Sequence, residues 1–164
     1  MRQIPAGVEG ALRLFANIMA TPKHRIIKRM KFLRNVPIFS MLDESILEKI
    51  AKTLFERFFE YDSYICHEGD HGDELYIIIE GKVDIIKEHK DSSRIIATKS
   101  AGDFIGEFAI LSNIPRTATL KTNGKTRLFI LKASFFREIL AQNPEMQSKL
   151  LDILVHMILN NEIG

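Results

Sequence analysis

One stretch concentrates the chemistry this chain offers: Gly102-Asp103-Phe104-Ile105-Gly106-Glu107-Phe108-Ala109-Ile110-Leu111-Ser112-Asn113-Ile114-Pro115-Arg116-Thr117-Ala118-Thr119. Glu107 to Ser112 is predicted as a short helix that follows a glycine and stops before Pro115. A helix start exposes unpaired N–H groups at the positive end of its dipole, and the two together suit an anion. Arg116, expected to open the next strand, would supply the countercharge. Glu107 is the odd member, because a carboxylate beside an anion repels it unless its oxygens accept hydrogen bonds from donors such as sugar hydroxyls. Anion donors, a cation and a hydroxyl acceptor thus fall within the eleven residues from Gly106 to Arg116, as a sugar-phosphate would require. On this chemistry alone, a capping glutamate with a surface arginine stands as the alternative.

Other reactive groups lead nowhere. His67 and His71 flank Glu68 and Asp70 in a glycine-rich turn, the wrong place for ligands that must converge inside a β-roll, so no metal site is expected. Gly124-Lys125-Thr126 imitates the tail of a phosphate-binding loop, but Thr119 stands where its first glycine belongs and a strand is expected to follow instead of a helix. Cys66, the single cysteine, has no activating neighbour in the sequence and is expected to be an inert core thiol. No nucleophile is paired with a base, and the chain is read as non-catalytic.

The elements that must hold this stretch run helix, sheet, helix. Leu12, Phe15, Ile18 and Met19 recur at helical spacing over Ala6 to Met19, and Pro22 separates that helix from a second, basic one through Phe32 and Leu33, broken by Pro37. Asp43 is placed to cap a third, with Leu42 and Leu47 as its hydrophobic staple and Ile50, Ala51 and Leu54 continuing the apolar face. From Phe55 the period becomes two. Short strands are expected at Leu75 to Ile79, Val83 to Ile86, Arg94 to Thr98, Arg116 to Leu120 and Arg127 to Leu131, with glycine-bearing turns between them. About eight such strands, mostly without intervening helices, imply an antiparallel roll. Asn143 and Pro144 are expected to cap and open a last helix reaching about Glu162. Its apolar residues nearly encircle it, which implies a second contact.

The segment around Glu107 and Arg116 closely resembles the phosphate-binding cassette of the cyclic nucleotide-binding domain family, found in catabolite activators, protein kinase regulatory subunits and cyclic-nucleotide-gated channels. The cassette runs roughly Phe-Gly-Glu-Leu-Ala-Leu-Leu, then Pro-Arg-x-Ala-Thr, and here corresponds to Ile105 to Leu111 and Pro115 to Thr119. The likeness extends through Glu68-Gly69-Asp70, Gly72-Asp73, Leu75-Tyr76, Gly81-Lys82-Val83 and Gly102-Asp103, about residues 33 to 160. It implies an α+β fold: an eight-stranded antiparallel β-roll, or jelly roll, at about residues 55–131, a short cassette helix, and C-terminal lid helices at 134–162. Residues 36–164 would be the binding domain and 1–35 a basic helical extension or linker.

The resemblance further implies that Glu107 accepts from the ribose 2′-hydroxyl, that Arg116 pairs with the cyclic phosphate, and that the amides of Gly106, Ala109 and Thr117 complete the cradle. Phe108 belongs to the same cassette, Val83 would pack near the purine or ribose, and Ile153, Leu154 and Met157 would form the lid over the base. Ile105 departs from the family's usual aromatic. Thr117 stands where cGMP-responsive members often carry a hydroxyl. Against this, Ala97 stands where some cGMP-selective members carry an arginine, while Lys99, two residues on, could donate to guanine instead. The choice between cAMP and cGMP stays open.

Composition sets the outer bounds. With 164 residues, 46% apolar and 27% charged, the chain is of single-domain size and ordinary globular usage. A lone cysteine rules out a disulfide scaffold and fits a reducing, cytoplasmic setting. Glu9 and Arg13 interrupt what would have to be the apolar core of a signal peptide, and no apolar run reaches the roughly 20 residues of a membrane span. The net charge of +2 is uneven: residues 1–35 hold eight of the 23 Lys/Arg but one of the 21 Asp/Glu. That arm could meet nucleic acid or anionic lipid, although no nucleic-acid-binding motif accompanies it. The expected partners are a cyclic purine nucleotide, needing no cofactor besides, and an effector domain of a larger parent protein; the terminal helices would also accommodate a homodimer. A protein-interaction module of the same fold without nucleotide is the alternative.

Overall fold

A computed structural model describes residues 6–19, 21–108 and 113–160. Three helices lead: α1 (Ala6–Met19), α2 (Pro22–Leu33) and α3 (Glu44–Thr53). Eight strands follow: β1 (Phe55–Phe59), β2 (Tyr64–Cys66), β3 (Glu74–Glu80), β4 (Lys82–His89), β5 (Ser92–Ser100), β6 (Phe104–Ile105), β7 (Thr119–Thr122) and β8 (Thr126–Lys132). Two helices, α4 (Ala133–Gln142) and α5 (Pro144–Leu159), close the chain. Among the described residues no helix is long and apolar enough to cross a membrane.

The strands form two four-stranded antiparallel sheets, ordered β1-β8-β3-β6 and β2-β7-β4-β5. The apolar run Leu75-Tyr76-Ile77-Ile78 in β3 shows how the layers divide. Tyr76 and Ile78 point into the roll with Val83, Ile85, Leu120, Leu128 and Ile130. Leu75 and Ile77 point the other way, into a second core shared with Leu33, Phe39, Leu47, Ile50, Phe136 and Leu150 of the helices and the 36–42 turn. Side chains alternate along a strand, so a strand buried on both faces reads as a continuous apolar run.

The capping details differ from the expectations. Pro22 is the first residue of α2, with the Thr21 hydroxyl accepting from the His24 amide. Asp43 sits at the α3 N-cap without a side-chain cap bond, although its staple residues Leu42 and Leu47 are both buried. Asn143 sits at the α5 N-cap before Pro144, as expected, but without a side-chain cap bond: its Nδ2 donates to the Ile139 carbonyl at 2.6 Å, so the side chain closes the end of α4. Two abutting helices compete for that residue, and the orphan carbonyl wins it.

The basic second helix is built into the domain. Arg29 of α2 donates to the carbonyls of Ala51 and Leu54, both at 3.0 Å, at the end of α3. Its guanidinium also lies 5.2 Å from the centre of the Phe129 ring on β8.

Candidate functional site

Arg116 does not open a strand. β7 starts three residues later, and Arg116 is bound instead to the turn between β2 and β3: its amide donates to the Asp70 carbonyl at 2.7 Å, and its carbonyl accepts from the Gly69 amide at 2.8 Å. That pairing commits both backbone groups to the chain that continues β2, on the side of β7 away from β4. It also has a directional consequence. In a trans peptide C=O and N–H point opposite ways, so with the Arg116 carbonyl on Gly69 the Thr117 N–H faces away from the turn.

The Arg116 side chain is 4% exposed and closely fitted. Nη2 donates to the Glu74 carbonyl at 2.7 Å and approaches the Tyr76 hydroxyl at 3.5 Å, while the guanidinium carbon lies 5.3 Å from the centre of the Tyr76 ring. Two glycines make room. A Cβ on Gly72 would stand 2.5 Å from Nε and Nη2, and one on Gly106 would stand 2.7 Å from Nη1. Gly106 also takes φ +104°, a conformation disfavoured by side-chain-bearing residues. Burial raises the Tyr76 phenol to about 12 against the opposing pull of Arg116, so it stays a neutral partner.

Glu107 is 2% exposed and opens a helical turn at Glu107 and Phe108; the rest of the expected helix, Ala109 to Ser112, lies outside the described residues. The Ala109 amide expected in the cradle falls there too. Burial lifts the Glu107 carboxyl to about 7, against the amides of Glu107 and Gly106 and the charges of Lys99 and Arg116. Among the described residues Glu107 Oε2 has no hydrogen-bond donor, and Arg116 Nε and Nη1 have no acceptor. Buried polar atoms are almost always partnered, so a carboxylate oxygen and two guanidinium nitrogens left over in one neighbourhood define a site that takes both a donor and an anion.

Around this pair, Ile105 is buried in the roll interior and Phe108 is half-buried. Val83 is fully buried in the same interior and pairs with Lys99 across β4 and β5, and Ala97 pairs with Ile85. Lys99 also lines a cavity of about 470 Å³ with Phe104, Lys149, Ile153, His156 and Met157, so α5 brings two of its three expected lid residues to the strand bearing Lys99. Leu154 instead packs on the helical core.

Cys66 is half-buried, and burial pushes its thiol up. His67 stacks on Tyr64, and among the described residues no three His, Cys, Asp or Glu side chains gather as metal ligands. The roles of Tyr76, Gly72 and the Glu74 carbonyl escaped the sequence reasoning. Gly72 and Tyr76 lie in the stretches that resemble the family, but nothing in their spacing says that they enclose an arginine some 40 residues away.

A roll whose inserted turn offers a buried carboxylate and arginine defines a class, and comparison names it. Residues 56–143 match the family profile described as the cyclic nucleotide-binding domain, and the chain belongs to that family. A cyclic nucleotide-gated potassium channel of Rhizobium etli is 31% identical over 143 residues, 84% of this chain and 39% of the channel. A cAMP-dependent protein kinase regulatory subunit of Mycosarcoma maydis is 33% identical over 109 residues, 66% of this chain and 21% of the subunit. The chain therefore spans well under half the length of these relatives.

Among solved structures, the regulatory domain of Toxoplasma gondii PKA, co-crystallised with cAMP, superposes with a TM-score of 0.67 at 28% identity, covering 73% of this chain and 46% of that one. The regulatory subunit of a cAMP-independent protein kinase A from Trypanosoma cruzi, bound to guanosine, gives 0.70 at 28% identity, covering 85% and 48%. The relatives are regulatory and ligand-binding proteins, and the fold is the β-roll that the cassette residues implied.

Proposed function

We propose that this chain binds a cyclic purine nucleotide and, as a non-catalytic regulatory domain, converts occupancy into movement of its terminal helices. The observation that carries the reading is a pair of groups left unsatisfied among the described residues, Glu107 Oε2 and Arg116 Nε and Nη1, all buried. A nucleoside cyclic monophosphate answers both: its diester oxygens accept from the guanidinium, and its ribose 2′-hydroxyl donates to the carboxylate. The amides of Gly106, Ala109 and Thr117 would complete the anion contact, and no further cofactor is required.

For the base, Val83, Ala97 and Lys99 would form one wall and α5 the other, through Ile153 and Met157, which line the cavity beside Lys99. The solved relatives include one co-crystallised with cAMP and one bound to guanosine, so membership of the class leaves the base undetermined. The Thr117 hydroxyl and Lys99 favour tolerance of cGMP. Ligand contacts made only with the lid closed would shift a pre-existing equilibrium by no more than the differential affinity of the two states. An effector in a larger parent protein would read that shift.

Isothermal titration of the purified chain with cAMP and cGMP tests the reading. Binding of at least one, lost in Arg116→Ala, is expected; binding of neither would sink it and leave a protein-interaction module.

A further inference from the structure

The cradle strand has an anchor that the cassette does not contain. Pairing between β4 and β7 ends at Ile86 opposite Thr119, so Arg116, Thr117 and Ala118 run on beyond the ladder. Lys87, the next residue of β4, reaches across instead: its Nζ donates to the Thr117 carbonyl at 2.6 Å. The same ammonium donates to Glu68 Oε1 at 2.7 Å, and Glu68 Oε2 accepts from the Glu88 amide at 3.0 Å. The Glu68 amide in turn donates to the Thr119 hydroxyl at 2.9 Å. The two side chains are mostly buried, 16% exposed for Lys87 and 27% for Glu68. Burial raises the Glu68 carboxyl, but the Glu88 amide and Lys87 together outweigh it and leave the group below the ordinary glutamate range.

We propose that Lys87, neutralised by Glu68, is a positioning residue for ligand binding: it fixes the Arg116–Ala118 stretch so that the Thr117 amide and the Arg116 guanidinium face the anion. This rests on the reading of the site as a cyclic nucleotide site. The other hydrogen bonds on this stretch all lie on Arg116: the 67–70 turn holds its backbone, and the Glu74 carbonyl and Tyr76 hold its guanidinium, so among the described residues Lys87 is the anchor on the Thr117 side. A lysine suits the task because one ammonium has three donors, enough to grip a carbonyl and a carboxylate at once. The pair adds no net charge beside the phosphate, so its effect on affinity comes through geometry.

The test is Lys87→Met in the full chain, read by calorimetric titration with cAMP and cGMP and by amide hydrogen exchange without ligand. Loss of a charge-assisted hydrogen bond predicts affinity about tenfold or more weaker. Exchange over 113–120 is expected to accelerate while β3 and β8 keep their protection. Glu68→Gln should move both readouts the same way, and Lys87→Arg should recover most of the affinity. Unchanged affinity with unchanged exchange in Lys87→Met would overturn the assignment. So would exchange that quickens equally across β3 and β8, because Lys87 would then be a general structural brace. If the unaltered chain bound neither nucleotide, the functional reading would be what failed, and local exchange would still decide whether Lys87 fixes the segment.

Discussion

At the scale of single residues, the site is a pair of buried groups in tension with their surroundings, and each makes a measurable demand. Truncating Arg116 to alanine is expected to cost nucleotide binding about 2 to 5 kcal/mol, the range for removing one partner of a buried charge pair, measured by titration calorimetry. Gly72→Ala should weaken binding with every charge kept, because the new Cβ would stand 2.5 Å from the guanidinium and displace it. An unchanged dissociation constant there would show that the guanidinium has room to spare. Glu107 makes the pH-dependent demand. Its carboxyl, raised by burial to about 7, holds its proton more tightly in the folded chain than in the unfolded one, where it titrates near 4.5. Below the lower value both states are protonated and nothing changes. Between the two values folding stability falls as pH rises, by up to about 1.4 kcal/mol per pH unit, and above the higher value the loss is constant. Urea midpoints across this window should fall less steeply in Glu107→Gln. A ribose hydroxyl that donates to the carboxylate favours its ionised form, so binding near pH 6.5 should release a proton. Calorimetry in buffers of different ionisation enthalpy measures that release.

At the scale of elements, what could be seen in the sequence was whatever local period and turn chemistry control. The short β-branched and aromatic runs of β3 and β8 and the staple of Leu42 and Leu47 act within a few residues, and each led to the right kind of element. The failures share a different cause. Arg116 has a strand-like sequence but lies outside β7, its backbone bonded to the 67–70 turn, far away along the chain. Asn143 has the residue type and position of an N-cap, yet a carbonyl of the preceding helix takes its side chain. Arg29 lies in the stretch read as a basic extension, and while Lys23, Arg25, Lys28 and Lys31 are exposed there, Arg29 reaches 22 and 25 residues ahead to close the end of α3. These are choices among competing partners, which spacing alone does not rank. Arg29 also yields a prediction at this scale. Arg29→Met keeps apolar contact with Phe129 but orphans the Ala51 and Leu54 carbonyls, and should destabilise the fold by about 1 to 3 kcal/mol in urea unfolding. No change in the midpoint would mean that water satisfies those carbonyls just as well.

At the scale of the whole molecule, the two cores divide the labour. The roll interior carries Ile105 and Ala118 at the edges of the cradle, whereas the helical core joins α2, α3, α4 and the start of α5 to the outer face of β3 and β8. Because β3 belongs to both, and its Glu74 carbonyl and Tyr76 also hold Arg116, the proposed movement has a route: a shift of the guanidinium toward a ligand would be felt by the strand against which the helices pack. The last helix is attached unevenly. Met146 and Leu150 are buried, Ile153 and Met157 face the cavity by Lys99, and Leu151, Val155, Ile158 and Leu159 remain exposed. A helix anchored at one end and bordering a cavity at the other can close over a base without unfolding the domain, and contacts made after docking act mainly on the dissociation rate. Ending the chain after Leu150 should therefore leave the roll folded, as judged by circular dichroism, while a fluorescent cyclic nucleotide leaves about tenfold faster or more, about 1.4 kcal/mol of lid contact. If dissociation followed by stopped flow were as slow as from the whole chain, α5 would contribute nothing to holding the ligand, and the movement assigned to it would have to originate elsewhere in the fold.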